Sequence, residues 1–412
     1  MNKSPRLVAL ETLYSIFYDG SYSNIALDKA LSDIKENKAF ISALVYGVTE
    51  RKITLDYFID KYAQGRIKPK VRIVLWLGAY QLLFMDKVPS SASINESVKL
   101  VKEIKQDYYS KLVNAVLHKI DNDRQIPDDL SVKYSVPENL INMWKKQYGE
   151  DVLNEFLPCI NDKPPLFAIP NKKFVNSDEL LYELECDGIL GEAYDEFVLI
   201  ENANDLTDSK AFKNGLFYIE DLSSFNCENA LDALGDDLVL DMCSAPGGKA
   251  FTISQSMNNS GKIYCYDLHE HRLNLIKNSA KRLSIDNIYT EVNDATVYNE
   301  NIPKADKILC DVPCSGFGII RRKPEIRYKD LDSVKDLPQI QYKILETSSR
   351  YLKDGGRIIY STCTLNKKEN ENVVNKFLKD HSGYKLLKDK TVFPSTVGGD
   401  GFYYAIMVKN EN

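Results

Sequence analysis

Along the first third of the chain, apolar residues recur at helical spacing. Leu7, Leu10, Leu13, Tyr14 and Phe17 fall on one helical face, and Leu44, Val45 and Val48 on another. The run VRIVLWLGAYQLLFM (71–85) is apolar nearly all round. That pattern predicts a central helix enclosed by others, with Pro69 and Pro89 as its boundaries. Helices are also predicted over 91–104 and 110–120, and no strand pattern intervenes, so residues 1–125 read as a compact all-α bundle. The Asp-, Pro- and Ser-rich segment 121–137 reads as a linker. It leads into a second domain, 126–230, with a helix over 138–157, a helix over 178–185 and short strands at 166–169, 197–200 and 217–219. Strands and helices mixed in this way predict a small α+β unit.

From residue 231 the pattern changes to alternating strands and helices. Strands are predicted at 236–243, 261–268, 287–294, 305–313 and 357–363, the last entered through the turn Asp354-Gly355-Gly356. This β-α-β series predicts a C-terminal α/β domain, 231–412, Rossmann-like, with a doubly wound, mostly parallel sheet. YKLLK (384–388) and GFYYAIMVK (401–409) are expected to close it as an antiparallel edge pair.

Composition narrows the class. With 44% hydrophobic and 27% charged residues in 412, the chain is a folded multidomain protein. No run of about 18 apolar residues occurs, so no membrane span is expected. The N-terminal MNKSPRLVALETLYSIF lacks the apolar core of a secretory signal, which leads to the expectation of a cytoplasmic protein. Eight cysteines include no Cys-x-x-Cys pair, and the four histidines have no metal-ligand spacing. Reduced thiols and no metal are expected. The net charge of −6 is uneven: +6 over 1–120, −14 over 121–230 and +2 over 231–412. The basic N-terminal third is the plausible RNA-facing surface.

In a doubly wound sheet, ligands sit beyond the carboxyl ends of the strands. Asp241-Met-Cys243-Ser244-Ala245-Pro246-Gly247-Gly248-Lys249 joins the first strand to its helix. Its glycines let the backbone approach a ligand, and the helix start supplies free N–H groups. Ala250 follows Lys249, unlike a phosphate-binding P-loop. Asp267 ends the second strand, where a carboxylate can accept from ribose hydroxyls, and Asp294 ends the third, where it can accept from an adenine amino group. Asp311-Val-Pro-Cys314-Ser-Gly ends the fourth strand and Ser361-Thr-Cys363-Thr the fifth. A free cysteine is usually a small buried hydrophobe. Strand-end placement singles out Cys314 and Cys363, but does not rank them.

DMCSAPGGK, DVPCSGFG and YSTCT, flanked by GLFYIEDLSS, RRKPEIR and GGDGFYYA, resemble the signatures of the Sun (Fmu, RsmB) family of RNA 5-methylcytosine methyltransferases. RLVALETLY, FISALVYGVTERKITLDYFI and KLVNAVLHKI are similar to the NusB-like RNA-binding helical domain that these enzymes carry. The resemblance implies methyl transfer from S-adenosylmethionine to carbon 5 of a cytosine in 16S (small-subunit) ribosomal RNA, through a covalent cysteine–C6 adduct. It implies Cys363 as the nucleophile and Cys314 as the residue assisting product release. It assigns Cys243, Ser244, Ala245, Pro246, Gly247, Gly248, Lys249, Asp267, Asp294 and Asp311 to the cofactor, with Asp311 and Lys249 also reaching the target base.

Arg66, Lys68 and Lys70 form a basic cluster, and Arg321, Arg322 and Lys323 follow the cysteine loop; both sets are candidate RNA contacts. A monomer is expected. Two alternatives stay open: the same chemistry on transfer RNA or another RNA, and an RNA-binding assembly or antitermination factor with a vestigial methyltransferase half.

Overall fold

The computed structural model describes residues 3–202, 206–394 and 398–411. The chain divides into two compact units, Met1–Asp162 with Ile320–Leu331, and Lys163–Ile319 with Asp332–Asn412.

The first unit is all-helical. Its main helices are Pro5–Tyr18, Ser23–Leu31, Lys38–Tyr62, Pro69–Phe84, Ser90–Glu103 and Ser110–Asn122. Ser4 caps the first by accepting from the Leu7 amide, satisfying one of the donors left open at a helix start. The helix Pro69–Phe84 begins with a proline whose missing N–H costs nothing there, and its Val71 and Ile73–Leu77 are enclosed by the other helices. The bundle does not stop at residue 125. Leu130–Tyr134, Glu138–Tyr148 and Glu150–Phe156 also belong to this unit, whereas the sequence pattern assigned them to the middle domain. Val136 and Trp144 are buried, and the backbone is joined to the bundle by Ile53 N donating to Ser135 Oγ (2.9 Å). The single helix predicted over 138–157 is interrupted at Gly149, whose φ of +90° breaks the helical path.

A segment distant in sequence, Ile320–Leu331, completes the same unit. Arg327 is fully buried in it. Its Nη1 donates to Glu50 O (2.9 Å), Ser135 O (3.2 Å) and Asn161 Oδ1 (2.9 Å), and the Tyr328 hydroxyl donates to Thr49 O (2.7 Å). Glu325 accepts from the Ser23 amide (3.1 Å). The Nη1 group meets acceptors from three directions and Nη2 faces Ile160 O (3.5 Å), while the buried Nε has no hydrogen-bond partner, so burial of the guanidinium is only partly offset.

The second unit holds two sheets. A small antiparallel sheet is built from β1 (Leu166–Pro170), β2 (Gly191–Ala193), β3 (Val198–Ile200) and β4 (Phe217–Ile219), in the order β2-β3-β1-β4. The large sheet comprises β5 (Leu238–Asp241), β6 (Lys262–Asp267), β7 (Ile288–Val292), β8 (Ala305–Asp311), β9 (Leu352–Thr362), β10 (Tyr384–Val392) and β11 (Phe402–Lys409), in the order β10-β11-β9-β8-β5-β6-β7. Strands β7, β6, β5, β8 and β9 are parallel, and β11 and β10 are antiparallel. Alternate residues bury on opposite faces. Val239, Ile263, Leu309 and Ile359 pack on one side, and Leu240, Ile308, Cys310 and Ile358 on the other, as expected for a parallel sheet covered by helices. The order reverses between β5 and β8, so a switch point opens at their carboxyl ends. The pair β10–β11 closes the sheet as the pattern suggested, with β11 innermost, against β9. Strand β9 starts earlier than expected, at Leu352, and takes in the Gly355-Gly356 dipeptide.

Candidate active site

Strands β8 and β9 run in register with Asp311 opposite Ser361. Their ends therefore deliver Cys314 and Cys363 to the same place, and the two Sγ atoms lie 3.3 Å apart. The loop carrying Cys314 is tied down on several sides. Gly318 N donates to Cys363 O (3.0 Å) and Gly401 N to Gly318 O (2.9 Å). A Cβ on Gly318 would stand 1.9 Å from Gly401 O, so only glycine fits this approach. Beneath the loop, the buried Glu369 accepts from Ser315 N (2.8 Å), the Ser315 hydroxyl, Gln341 Nε2 (2.9 Å) and Asn366 Nδ2 (2.8 Å). Gln341 Nε2 also donates to Pro313 O (3.0 Å). Both thiols are half-buried. The hydrogen bond with Cys363, followed by burial, pushes the Cys314 thiol well above its ordinary range. Cys314 thus stays protonated at neutral pH, and either sulfur of the pair can be the donor.

Asp311 stands beside the thiols. Its Oδ1 accepts from Ser361 Oγ (2.8 Å), and its Oδ2 is 3.4 Å from Lys249 Nζ. Lys249 reaches there from the start of the helix Gly248–Ser256, and also meets Glu228 Oε1 (3.6 Å) and the Ser224 hydroxyl. Burial works against its charge, but Asp311, Glu228 and Glu220 more than offset this, so the ammonium is held charged.

The loop from β5 into that helix contains the sequence-predicted residues Cys243 to Gly248. Gly247 has φ +110°, a conformation open to glycine and strained for other residues. Asp241 is fully buried, and neither carboxylate oxygen has a partner in hydrogen-bond geometry; burial pushes its carboxyl up to about 7. Ser244 Oγ and Asn293 Nδ2 are buried and unpartnered as well. Unsatisfied polar groups at the carboxyl ends of the parallel strands are what a polar ligand would satisfy. Asp267 ends β6, accepts from His269 N (3.1 Å) and pairs with Arg272 (3.0 Å). Asp294 accepts from Thr296 N (2.9 Å) at an open groove of about 730 Å³ lined also by Leu268, Val292, Val297 and Tyr298. Apolar side chains exposed at strand ends suit a flat ring. Cys243 is half-buried, and burial raises its thiol well above the ordinary range. Among the described residues, no group of three His, Cys, Asp or Glu side chains is placed to hold a metal ion.

The candidate RNA contacts fall in the helical unit. Arg66, Lys68 and Lys70 are exposed there; Lys68 donates to Gln106 Oε1 (3.0 Å), and Lys70 lies over the Tyr14 ring. Arg321, Arg322 and Lys323 are less open than their charge suggested. Arg321 is buried, which withdraws it from an RNA-facing surface, Arg322 is half-buried, and Lys323 lies over the Tyr22 ring. The sequence reading missed Glu369, Glu220, Glu228 and Ser361. Ser361 and Glu220 stand inside motifs that were visible, but a lone Glu such as 228 or 369 carries no signal of its own.

Comparison with known proteins identifies the family. A family model described as 16S rRNA methyltransferase RsmB/F matches residues 228–408, and the NusB family model matches residues 3–122. The chain is 33% identical, over 98% of its length and 99% of the relative's, to the probable ribosomal RNA small subunit methyltransferase B of Bacillus subtilis (strain 168). The chain belongs to this methyltransferase family. A relative in Synechocystis sp. with the same description is 30% identical, over 93% of this chain and 90% of that one. Among solved structures, the crystal structure of PH0851 superposes with a TM-score of 0.83 at 27% identity, covering 99% of this chain and all of the other. Family membership makes the chain a methyltransferase of small-subunit ribosomal RNA with an N-terminal NusB domain, and it brings a methyl donor of the S-adenosylmethionine type.

Proposed function

We propose that the chain methylates carbon 5 of a cytosine in small-subunit ribosomal RNA through a covalent adduct with Cys363. The observation that carries this reading is the thiol pair, 3.3 Å apart, beside Asp311 and Lys249 at the ends of β8 and β9. Carbon 5 of cytosine is a weak nucleophile. The Cys363 thiolate adds to carbon 6, forming the S–C6 bond and moving the C5–C6 π electrons towards carbon 5. The proton given up by the Cys363 thiol passes to the Asp311 carboxylate, which hands it to N3 as the adduct forms, with Lys249 fixing its orientation. Bound S-adenosylmethionine supplies the electrophilic methyl group. When the carbon 5 proton has left to solvent, the C5–C6 double bond re-forms, the S–C6 bond breaks and N3 returns its proton to Asp311. Cys314 assists release by turning its S–H towards the departing Cys363 sulfur.

The donor fits the polar groups at the carboxyl ends of the parallel strands. The N–H groups at the start of the helix Gly248–Ser256 would cradle it, with Pro246 supplying no N–H and Ser244 N already bonded to Tyr266 O. Asp267 would accept from its ribose and Asp294 from its adenine; the unpartnered Asp241, Ser244 and Asn293 side chains support this. The target base must be unstacked to enter such a site. The test is incubation with unmodified 16S ribosomal RNA and labelled methyl donor. Cys363→Ala should neither methylate nor bind RNA covalently, and Cys314→Ala should accumulate an adduct that survives denaturation. Normal methylation by Cys363→Ala would falsify the nucleophile assignment.

A further inference from the structure

Behind Lys249 lies a buried polar chain that the thiol chemistry does not use. Glu220 and Glu228 are 8% and 2% exposed. Together with Asp311 they place three carboxyl groups around one ammonium. Two ionised carboxylates buried with Asp311 against a single cation would be costly, and like charges sharing one site force one of them to keep its proton.

The hydrogen bonds point the same way. Gln255 Nε2 donates to the Tyr218 hydroxyl (3.0 Å), so that hydroxyl gives its own hydrogen to Thr252 Oγ1 (2.8 Å), and Thr252 donates to Glu220 Oε2 (2.6 Å). Ser224 Oγ stands 3.4 Å from Glu220 Oε1 and 2.9 Å from Glu228 Oε1. A serine hydroxyl has one hydrogen, so it can serve only one ionised carboxylate. The arrangement closes when Glu220 is protonated and donates to Ser224, which donates to an ionised Glu228 facing Lys249. Burial raises both carboxyl groups; Asp221 adds to this at Glu220, and Glu220 and Asp311 add to it at Glu228, with Lys249 opposing in both cases. Cys227 also faces Glu228 and Lys249. Gly248 brings the cofactor loop against this group, since a Cβ there would stand 3.0 Å from Glu220 Oε1.

We propose that Glu220 and Glu228 share one proton across the Ser224 hydroxyl and act together as the buried counter-ion of Lys249, positioning its ammonium and leaving Asp311 free to exchange a proton with the target base. The last clause rests on the reading of Asp311 under the proposed function; the shared proton does not. Glu220 and Glu228 are thus positioning residues.

The test uses the full chain with Glu220→Gln, Glu228→Gln and both together. Infrared difference spectra at neutral pH, wild type minus each single variant, should contain a protonated-carboxyl band, because the remaining carboxyl ionises to balance Lys249. Any band from Asp241 cancels in the difference. No such band in either difference overturns the shared proton, whether or not the RNA is methylated. In methylation of 16S ribosomal RNA, each single variant should lose the step that the shared proton gives to the kcat–pH profile. The double variant should fall at least about tenfold below either single in kcat, while KM for RNA stays within about twofold. A double variant no worse than the singles overturns the positioning role. A wild type that methylates no cytosine defeats the proposed function instead, and the infrared result still decides the carboxyl pair.

Discussion

Removing Glu369 should loosen the cysteine loop without touching a thiol. Its side chain accepts four hydrogen bonds beneath residues 313–317, two from Ser315 and one each from Gln341 and Asn366. Glu369→Ala deletes every one of those acceptors in a buried place. A buried donor deprived of its acceptor costs about 1–3 kcal/mol. If only two of the four are left unsatisfied, the loss is about 3 kcal/mol, which is a rise of more than about a hundredfold in the opening constant of the loop. The assay is hydrogen exchange at the Ser315, Phe317 and Gly318 amides, with the rate of thiol labelling at Cys314 as a second readout. Intrinsic fluorescence would miss the change, because Trp76 and Trp144, the two tryptophans in the sequence, both belong to the helical unit. Glu369→Gln keeps the shape but turns one acceptor into a donor facing other donors, so its effect should fall between Ala and wild type. Protection and labelling within about threefold of wild type in the Ala variant would refute the argument, since an opening constant tracks local stability.

Three further outcomes follow from the same geometry. Asp241 is buried with its carboxyl raised to about 7 from an unfolded value near 4, so the native state holds its proton more tightly than the unfolded chain. That contribution is intact below about pH 4 and is lost as pH rises to about 7; in melting experiments, wild type should therefore lose stability relative to Asp241→Asn over this window, and a constant difference would sink the idea. Arg327→Met should destabilise the helical unit by about 3 kcal/mol, read from tryptophan fluorescence in urea, because the acceptors around Arg327 lose their donor; a change below about 1 kcal/mol would show that they rehydrate. Replacing Arg66, Lys68 and Lys70 with Ala should lower the slope of log affinity against log salt by about three for RNA binding if each meets a phosphate, and an unchanged slope would place the RNA elsewhere.

Much of this was legible in the chain, and the exceptions share a cause. Period-3.6 patterning located the helix Pro69–Phe84 closely, because a helix apolar all round has only one environment available. Alternation of strand and helix located β5 to β9, and through them the shared end where Cys314 meets Cys363. Local rules erred where distant residues decide. Gly355-Gly356 has the composition of a turn, but pairing of Leu352 with Ala305 draws it into β9. Basic residues at 321–323 suggested RNA contacts, yet the segment is anchored by Arg327 to acceptors at positions 50, 135 and 161, a convergence that no local pattern announces. Glu220, Glu228 and Glu369 escaped for the same reason: a buried glutamate is identified by its partners, and Thr252, Lys249 and Ser315 lie tens of residues away in sequence.

The contribution of Ile320–Leu331 to the helical unit bears on how the protein is made. Chains leave the ribosome N-terminus first, at about 5–20 residues per second, so on the order of ten seconds or more separates the synthesis of residue 162 from that of residue 331. During that interval the bundle can bury its apolar core, but the carbonyls at 49, 50 and 135 await Tyr328 and Arg327. The helical unit is therefore completed only after the cysteine loop has been synthesised. A nascent or truncated chain would carry an unlocked bundle, and the finished helical unit reports that translation has passed Cys314.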